Sequence, residues 1–390
     1  MSAYYEFKLP TKILSGDGAL EHIPHELETL GARRPLLLSD RGLEQVGTVK
    51  IVQAALGQGG MPAAETFCEI PPDSSIDTVN QIAALYRQRA CDSLIAVGGG
   101  SVIDCAKAVA IAAVEDGDLW TRHWLEKRPP EEAPLPVGAV LTMVGTGSEM
   151  DGDSVVTNEE TKVKTSCWDY SLYPRFAVLN PEFTYSVPEY QMVSGIFDIL
   201  SHIMEIYFSP EDEDNLSDDL AEAIMGSVIR STAAALKNPR DYTARSNLMW
   251  ASSLALSGLL SPSKREDWEV HQIQHQIGAY YDCAHGMGLA AVSPAYYRLV
   301  CPYALPRFKR FAVNVWGIDP AGKSDLELAH AGIDALAAFI RDSRMTANLR
   351  QLGLPDDSLL ETIAATCNLR KGGYHPLTRQ EVLQVLRESF

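Results

Sequence analysis

The chain has 390 residues, more than one hydrophobic core accommodates, so two domains are expected. Its composition, 46% hydrophobic and 22% charged, is that of a folded globular protein, with 51 acidic against 33 basic residues and a formal charge of -18. That charge excludes nucleic-acid backbones and anionic membranes as partners.

No stretch has the length and continuity of a membrane span, and Met1–Leu20 lacks a secretory pattern. The seven cysteines are scattered, odd in number and without CxxC pairs, which points to reduced thiols in a cytoplasm. In chain order, the first strand candidate is Pro35–Ser39, followed by Asp40 and a helical pattern over Val46–Leu56. Ser93–Val97 is a second, stopped by Gly98-Gly99-Gly100 and followed by an alanine-rich helical stretch, Val102–Val114. Val137–Leu141 is a third. Strands alternating with helices predict a parallel α/β domain over residues 1–182. Past Asn180, apolar-periodic stretches at Met192–Phe208, Leu220–Leu236, Arg245–Leu260 and Leu326–Arg341 predict a mostly helical domain over 183–390. Lys127–Pro136 and the acidic run Glu211–Asp219 read as solvated loops.

Three stretches carry chemistry. Gly98–Asp104 lies between a strand and a helix, where glycines admit a ligand to the backbone and the helix start aims free N–H groups at a phosphate. This is the Rossmann principle without the GxGxxG spelling; a plain tight turn would look the same. Thr142–Glu149 (TMVGTGSE) repeats the arrangement with hydroxyls suited to a diphosphate or ribose, or to local capping by Thr146 and Ser148. Two such turns in one domain favour a dinucleotide. The third stretch is bipartite. Asp198 and His202 stand i, i+4 in a helical pattern, as do His271 and His275; Gly278 is expected to break that helix, and His285 follows. A lone histidine on an apolar helix is usually a core residue, but this constellation points to a divalent metal, with Fe(II) and Zn(II) both suited to its donors.

Taken together, GGGSVIDCAK, TMVGTGSE, GIFDILSHIME and HQIQHQIG…HG occur in the order seen in iron-containing alcohol dehydrogenases, which the sequence resembles over nearly its whole length. The N-terminal YYEFKLPTKILSGDGAL also looks like their opening strands. The resemblance implies the dehydroquinate synthase-like superfold: a Rossmann-like α/β domain, a helical domain, and cofactor and metal in the cleft between them. It implies metal ligation by Asp198, His202, His271 and His285, with Fe(II) favoured, and a proton-transfer or orienting role for His275 near the nicotinamide. Gly99, Gly100 and Ser101 match its diphosphate loop, Thr142 and Thr146 its second cofactor turn, and Lys164 a lysine that reaches the cofactor. Asp40 matches the position that selects NAD over NADP, because a carboxylate repels a 2′-phosphate; alternatively it caps the next helix. The implied reaction is hydride exchange between NAD(H) and a primary alcohol or aldehyde, the metal polarising the substrate oxygen. The relatives it resembles are often dimers or larger, so a homodimer is expected.

Asn180-Pro181, Gln276 and Ser293-Pro294 depart from the family's common spellings without touching a metal ligand. Asp151 and Asp153 follow TGSE where relatives often carry neutral residues, and are expected to border the substrate pocket and disfavour anionic substrates. Two other readings stand beside the main one. A polyol dehydrogenase or phosphate-eliminating cyclase would share the superfold, though GTGSE and HxxxH…HG disfavour both. A non-catalytic NAD- or metal-binding scaffold is opposed by the intact ligand set.

Overall fold

Strands with four to six consecutive apolar or small residues have no polar face to turn to water, and they form the centre of a sheet covered on both sides. The computed structural model describes residues 6–61, 65–161, 163–210, 215–262, 264–266, 268–281 and 283–390. It divides into two compact units, Lys8–Val187 and Pro188–Phe390, the latter including also Glu6 and Phe7.

In the first unit the strands are β1 (Lys12–Ser15), β2 (Pro35–Leu38), β3 (Glu65–Phe67), β4 (Ser93–Gly98), β5 (Val137–Leu141), β6 (Asp153–Asn158), β7 (Val163–Trp168) and β8 (Phe176–Leu179). Six of them form one parallel sheet in the order β1-β8-β5-β4-β2-β3. All residues of β2, β4, β5 and β8 are buried. The helices are α1 (Ile23–Thr29), α2 (Arg41–Gln45), α3 (Thr48–Gln58), α4 (Ile76–Arg89) and α5 (Gly100–Ala112). The chain runs from β2 outward to β3, then returns to lay β4 on the other side of β2, so the winding reverses there. Ligands of open α/β sheets bind beyond the carboxyl ends of strands at such a reversal. Beyond the ends of the adjacent strands β2, β4 and β5 lie Asp40, the Gly98–Ser101 turn and the turn that starts at Thr142. β6 and β7 form a separate antiparallel hairpin.

The helix expected over Val46–Leu56 is α3, which starts only at Thr48 because Gly47 before it is left-handed (φ 89°); the short α2 that precedes it was not expected. The pattern missed β1, β3, β6, β7 and β8 as strands, the first of which falls inside the N-terminal stretch credited to the family resemblance.

Among its described residues the second unit is built of helices: α6 (Glu189–Tyr207), α7 (Leu216–Lys237), α8 (Tyr242–Ala255), α9 (Glu269–Tyr280), α10 (His285–Val300), α11 (Leu305–Arg310), α12 (Asp325–Asp342), α13 (Leu349–Leu352), α14 (Leu360–Thr366) and α15 (Arg379–Glu388). No described helix is long and apolar enough to cross a membrane. Two expectations need correction here. Gly278 does not break its helix, which runs on to Tyr280, and the acidic run is not simply a solvated loop. Its residues 211–214 lie outside the described ones, but Asn215 caps α7 and Asp218 is buried between Arg307 and Lys264, whose Nζ lies 2.6 Å from Asp218 Oδ1. Composition could not show this, because the cations that neutralise Asp218 come from distant segments.

Candidate active site

α6 supplies Asp198, His202 and Glu205 at i, i+4 and i+7, a spacing that stacks three polar side chains on one face of an otherwise apolar helix. α9 brings His271 and His275, and α10 opens with His285. The next residue, Gly286, explains how α10 reaches the cluster. A Cβ there would lie 1.9 Å from the Ser194 carbonyl oxygen on α6, so only glycine permits this approach.

Three imidazoles converge on one carboxylate oxygen. The Nε2 atoms of His202, His271 and His285 lie 3.5, 3.6 and 3.6 Å from Asp198 Oδ1. These separations are too long for hydrogen bonds. They equal the edge of a tetrahedron whose centre bonds each corner at about 2.0–2.2 Å, roughly 3.3–3.6 Å, the range of zinc and similar divalent ions with N and O donors. Asp198 Oδ1 and His271 Nε2 are buried with no hydrogen-bond partner, an arrangement that costs free energy unless a cation occupies the centre. The donor set therefore fits a divalent metal. The side chains of Asp198, His202 and His271 are only 5–8% exposed, whereas His285 is 29% exposed, so the cluster opens on the His285 side. His275 packs there, its ring centroid 5.5 Å from that of His285 and 6.1 Å from that of His271.

Burial alone would raise the Asp198 pKa, but the charges of His202, His285 and His271 hold it well below the usual carboxylate range. Burial works against protonation of His271, yet Glu205 and Asp198 outweigh it and raise its pKa to about 10.

Glu205 was not singled out from the sequence, though its i+7 spacing from Asp198 was available. Its buried carboxylate accepts hydrogen bonds from His271 Nδ1 and from the backbone N–H groups of Val270 (2.6 Å) and His271 (3.2 Å). It thus caps the first turn of α9 and fixes the His271 tautomer that leaves Nε2 facing Asp198. Trp268, just before α9, adopts a left-handed backbone (φ 57°), and its ring meets the edges of His202 and His271 at centroid distances of 5.9 and 5.4 Å. Nothing local in the sequence signals that conformation.

In the α/β unit the two glycine turns touch. A Cβ on Gly100 would lie 2.6 Å from the Thr146 side chain, so glycine lets the start of α5 abut the second turn. Thr142 N–H donates to Gly98 O at 3.1 Å, and Thr146 Oγ1 accepts from Ser148 N–H at 3.3 Å, the local capping contact weighed above. Gly99 precedes α5, and Ser101 lies in its first turn. Ser101 Oγ accepts from Asp73 N–H at 3.3 Å, and the Asp73 carboxylate pairs with Lys164 Nζ on β7 at 2.5 Å. Asp73, another residue that the sequence did not flag, thereby joins two predicted cofactor residues. Asp40 caps α2, accepting from Leu43 N–H at 3.0 Å, while standing beyond the end of β2.

A family model described as iron-containing alcohol dehydrogenase matches residues 10–181, and its C-terminal counterpart matches residues 192–390. The chain belongs to the iron-containing alcohol dehydrogenase family. It is 33% identical to NADH-dependent butanol dehydrogenase A of Clostridium acetobutylicum over 99% of both chains. It is 32% identical to the NADPH-dependent aldehyde reductase YqhD of Escherichia coli, over 91% of this chain and 90% of that one. Among solved structures, the NADH-dependent butanol dehydrogenase A of Thermotoga maritima superposes with a TM-score of 0.92 at 31% identity, covering 98% of each chain. The enzyme is thus a nicotinamide-dependent oxidoreductase of alcohols and aldehydes.

Within this dehydrogenase, Asp151 does not stand as expected. Asp151 Oδ1 accepts from Lys107 Nζ at 2.7 Å and from Asp153 N–H at 2.9 Å, and Lys107 is fully buried. The charge expected to face substrate is engaged with an internal lysine that the sequence hid in an alanine-rich helix.

Proposed function

We propose that the enzyme exchanges hydride between NAD(H) and a short primary alcohol or its aldehyde, with Asp198, His202, His271 and His285 holding Fe(II). The observation that carries this reading is the convergence of three Nε2 atoms on Asp198 Oδ1 at 3.5–3.6 Å. The same donors accept Zn(II), and iron is favoured by the family's name. Short alcohols are favoured because similar proteins are named butanol dehydrogenases and 1,3-propanediol dehydrogenase.

When bound, the cation supplies Lewis acidity at the substrate oxygen and the nicotinamide supplies or accepts the hydride. The chain's own residues do the rest. Asp198 contributes the anionic donor, Glu205 orients His271, and burial keeps bulk water from Asp198, His202 and His271. His275, whose ring packs beside His285 on the more open side, holds or passes the proton that the alcohol loses. Gly99, Gly100 and Ser101 and the turn Thr142–Thr146 form the proposed diphosphate and ribose cradle, with Lys164 tethered to it through Asp73. Asp40, beyond β2, disfavours a 2′-phosphate, so NAD is preferred to NADP. We further propose a cytoplasmic homodimer; the seven cysteines form no disulfide with one another, in keeping with a reducing compartment.

The test is oxidation of NADH with a panel of C2–C6 aldehydes by protein stripped of metal and reloaded anaerobically with Fe(II) or Zn(II). Metal-dependent turnover is expected. Metal-independent turnover, or silence with both metals and both nicotinamides, refutes the reading.

A further inference from the structure

Lys107 sits in the middle of α5, among alanine and valine, and its side chain is 0% exposed. An ammonium in that position is tolerated only if each of its three N–H donors finds an acceptor. Each does, and all three acceptors belong to one short segment. Lys107 Nζ lies 2.9 Å from Ser148 Oγ, 2.7 Å from Asp151 Oδ1 and 2.6 Å from the Asp153 carbonyl oxygen. One turn earlier on α5, Asp104 accepts from the Ser148 hydroxyl and, at 3.1 Å, from Val155 N–H, while its own carbonyl accepts from Ser154 Oγ at 2.8 Å. Lys107 and Asp104 therefore bind the whole of Ser148–Val155 to the body of α5.

The geometry gives this clamp a consequence beyond stability. α5 begins with Gly100 and Ser101, the first glycine turn, and Ser148–Asp153 is the chain leaving the second, Thr142–Gly147. The turns abut so closely at Gly100 and Thr146 that a Cβ does not fit between them. Their mutual register is thus set from beneath, by a cation sealed from solvent.

We propose that Lys107 is a positioning residue for the nicotinamide cofactor, registering the second glycine turn against the first. The inference rests on the reading that these two turns hold the cofactor. The surrounding charges agree with it: burial raises the carboxyls of Asp104 to about 6 and of Asp153 to about 7, and Lys107 is the cation that lowers both. Substitution of the lysine loosens the register without touching Asp198, His202, His271 or His285.

The test compares NADH dissociation constants of the metal-loaded enzyme, measured by energy-transfer fluorescence, for wild type, Lys107→Met/Asp151→Asn, Ser148→Ala and Gly99→Val. The double variant replaces the Lys107–Asp151 ion pair by neutral groups, and Asp104 keeps its hydrogen bonds from Ser148 and Val155. Its NADH affinity is expected to fall tenfold or more, on the order expected when a multiply bonded charged group is lost. KM for NADH rises with it, while kcat at saturating NADH, KM for aldehyde and metal content stay within about twofold, a split that general destabilisation would not produce. Ser148→Ala keeps every charge and removes only the bridging hydroxyl; a loss of roughly fivefold is expected, the worth of about one net hydrogen bond. It also keeps the test decisive should the double variant fail to fold. NADH affinity within twofold of wild type in Ser148→Ala and in the folded double variant overturns the proposal. Gly99→Val, whose added methyl groups press toward Met143, separates the layers. If it abolishes NADH binding while the Lys107 and Ser148 variants bind normally, the cofactor turns stand and the positioning role falls. If all bind normally, the reading of the turns falls, and the proposal with it.

Discussion

Replacing Glu205 by glutamine changes one atom in the interior and should loosen a metal ion that the residue does not touch. The wild-type carboxylate has no exposed surface and accepts from three donors: Val270 N–H at 2.6 Å, His271 N–H at 3.2 Å, and the ring Nδ1–H of His271. Glutamine has one carbonyl oxygen and one NH2 group, so it must choose. With the oxygen kept on the two backbone amides, the NH2 faces Nδ1, which must then be the acceptor. The ring proton moves to Nε2, the atom that stands 3.6 Å from Asp198 Oδ1 and whose lone pair the metal needs. With the amide flipped, the ring keeps its tautomer, but two backbone N–H groups confront an NH2, at about 1–3 kcal/mol each. The first option is the smaller cost, and loss of such a supporting carboxylate weakens metal binding about 10- to 100-fold, or about 1.4–2.7 kcal/mol. A chelator competition titration with Zn(II) measures this directly, and circular dichroism together with NADH affinity checks that the fold is intact. A Glu205→Gln protein with wild-type metal affinity would show that the His271 tautomer is not set by Glu205.

Other outcomes follow from the same structure. Gly286→Ala places a methyl 1.9 Å from Ser194 O, so α10 must withdraw and carry His285 with it; overpacking of this kind costs about 1–3 kcal/mol, and both Tm and retained metal should drop. Unchanged metal content would mean that His285 is not held by that approach. Asp40→Asn keeps an oxygen for the α2 cap but removes the charge, so the ratio of kcat/KM for NADPH to NADH should rise on the order of tenfold with little change in Tm; an unmoved ratio assigns Asp40 to capping alone. Asp153, with its pKa raised to about 7 by burial and by Asp151, binds its proton more tightly in the folded state than in the unfolded one. Its stabilising contribution is complete below about pH 4 and is lost as pH rises through 7, so Asp153→Asn should gain stability relative to wild type between pH 5 and 7.5. Parallel Tm-versus-pH curves for the two proteins would contradict this.

Local pattern revealed what local physics determines. Pro35–Ser39, Ser93–Val97 and Val137–Leu141 were legible as strands because a strand buried on both faces leaves an unbroken apolar run. Asp198 with His202, and His271 with His275, were legible because i, i+4 spacing carries over to a shared helix face. The hairpin β6–β7 was missed since its residues are polar and only partly buried. β3 was missed because three residues make no period. Asp218 and Lys107 share a different cause. Each is a buried charged residue whose shortest ion pairs reach more than forty positions away in sequence, so a window along the chain shows only an acidic run or an alanine-rich helix.

That division explains why the proposed metal donors were readable and their supports were not. A ligand must be of one of a few residue types, but a residue that aims a ligand need only be placed correctly once the chain has folded. Glu205 could have been aspartate or glutamine as far as helical periodicity is concerned; its identity follows from the tautomer that His271 must keep. Gly286 reads as a helix breaker, yet it sits inside α10 because the Ser194 carbonyl occupies the space of a side chain. The charge at the centre closes the argument. Asp198 and Glu205 bring two negative charges into a region that is almost wholly buried, against three imidazoles that are neutral when they act as ligands. A divalent cation balances those two carboxylates, whereas a monovalent one leaves a buried negative charge and a trivalent one a buried positive charge. On the proposed ligand set, the supporting carboxylate would bear on the charge of the ion as well as on the orientation of His271.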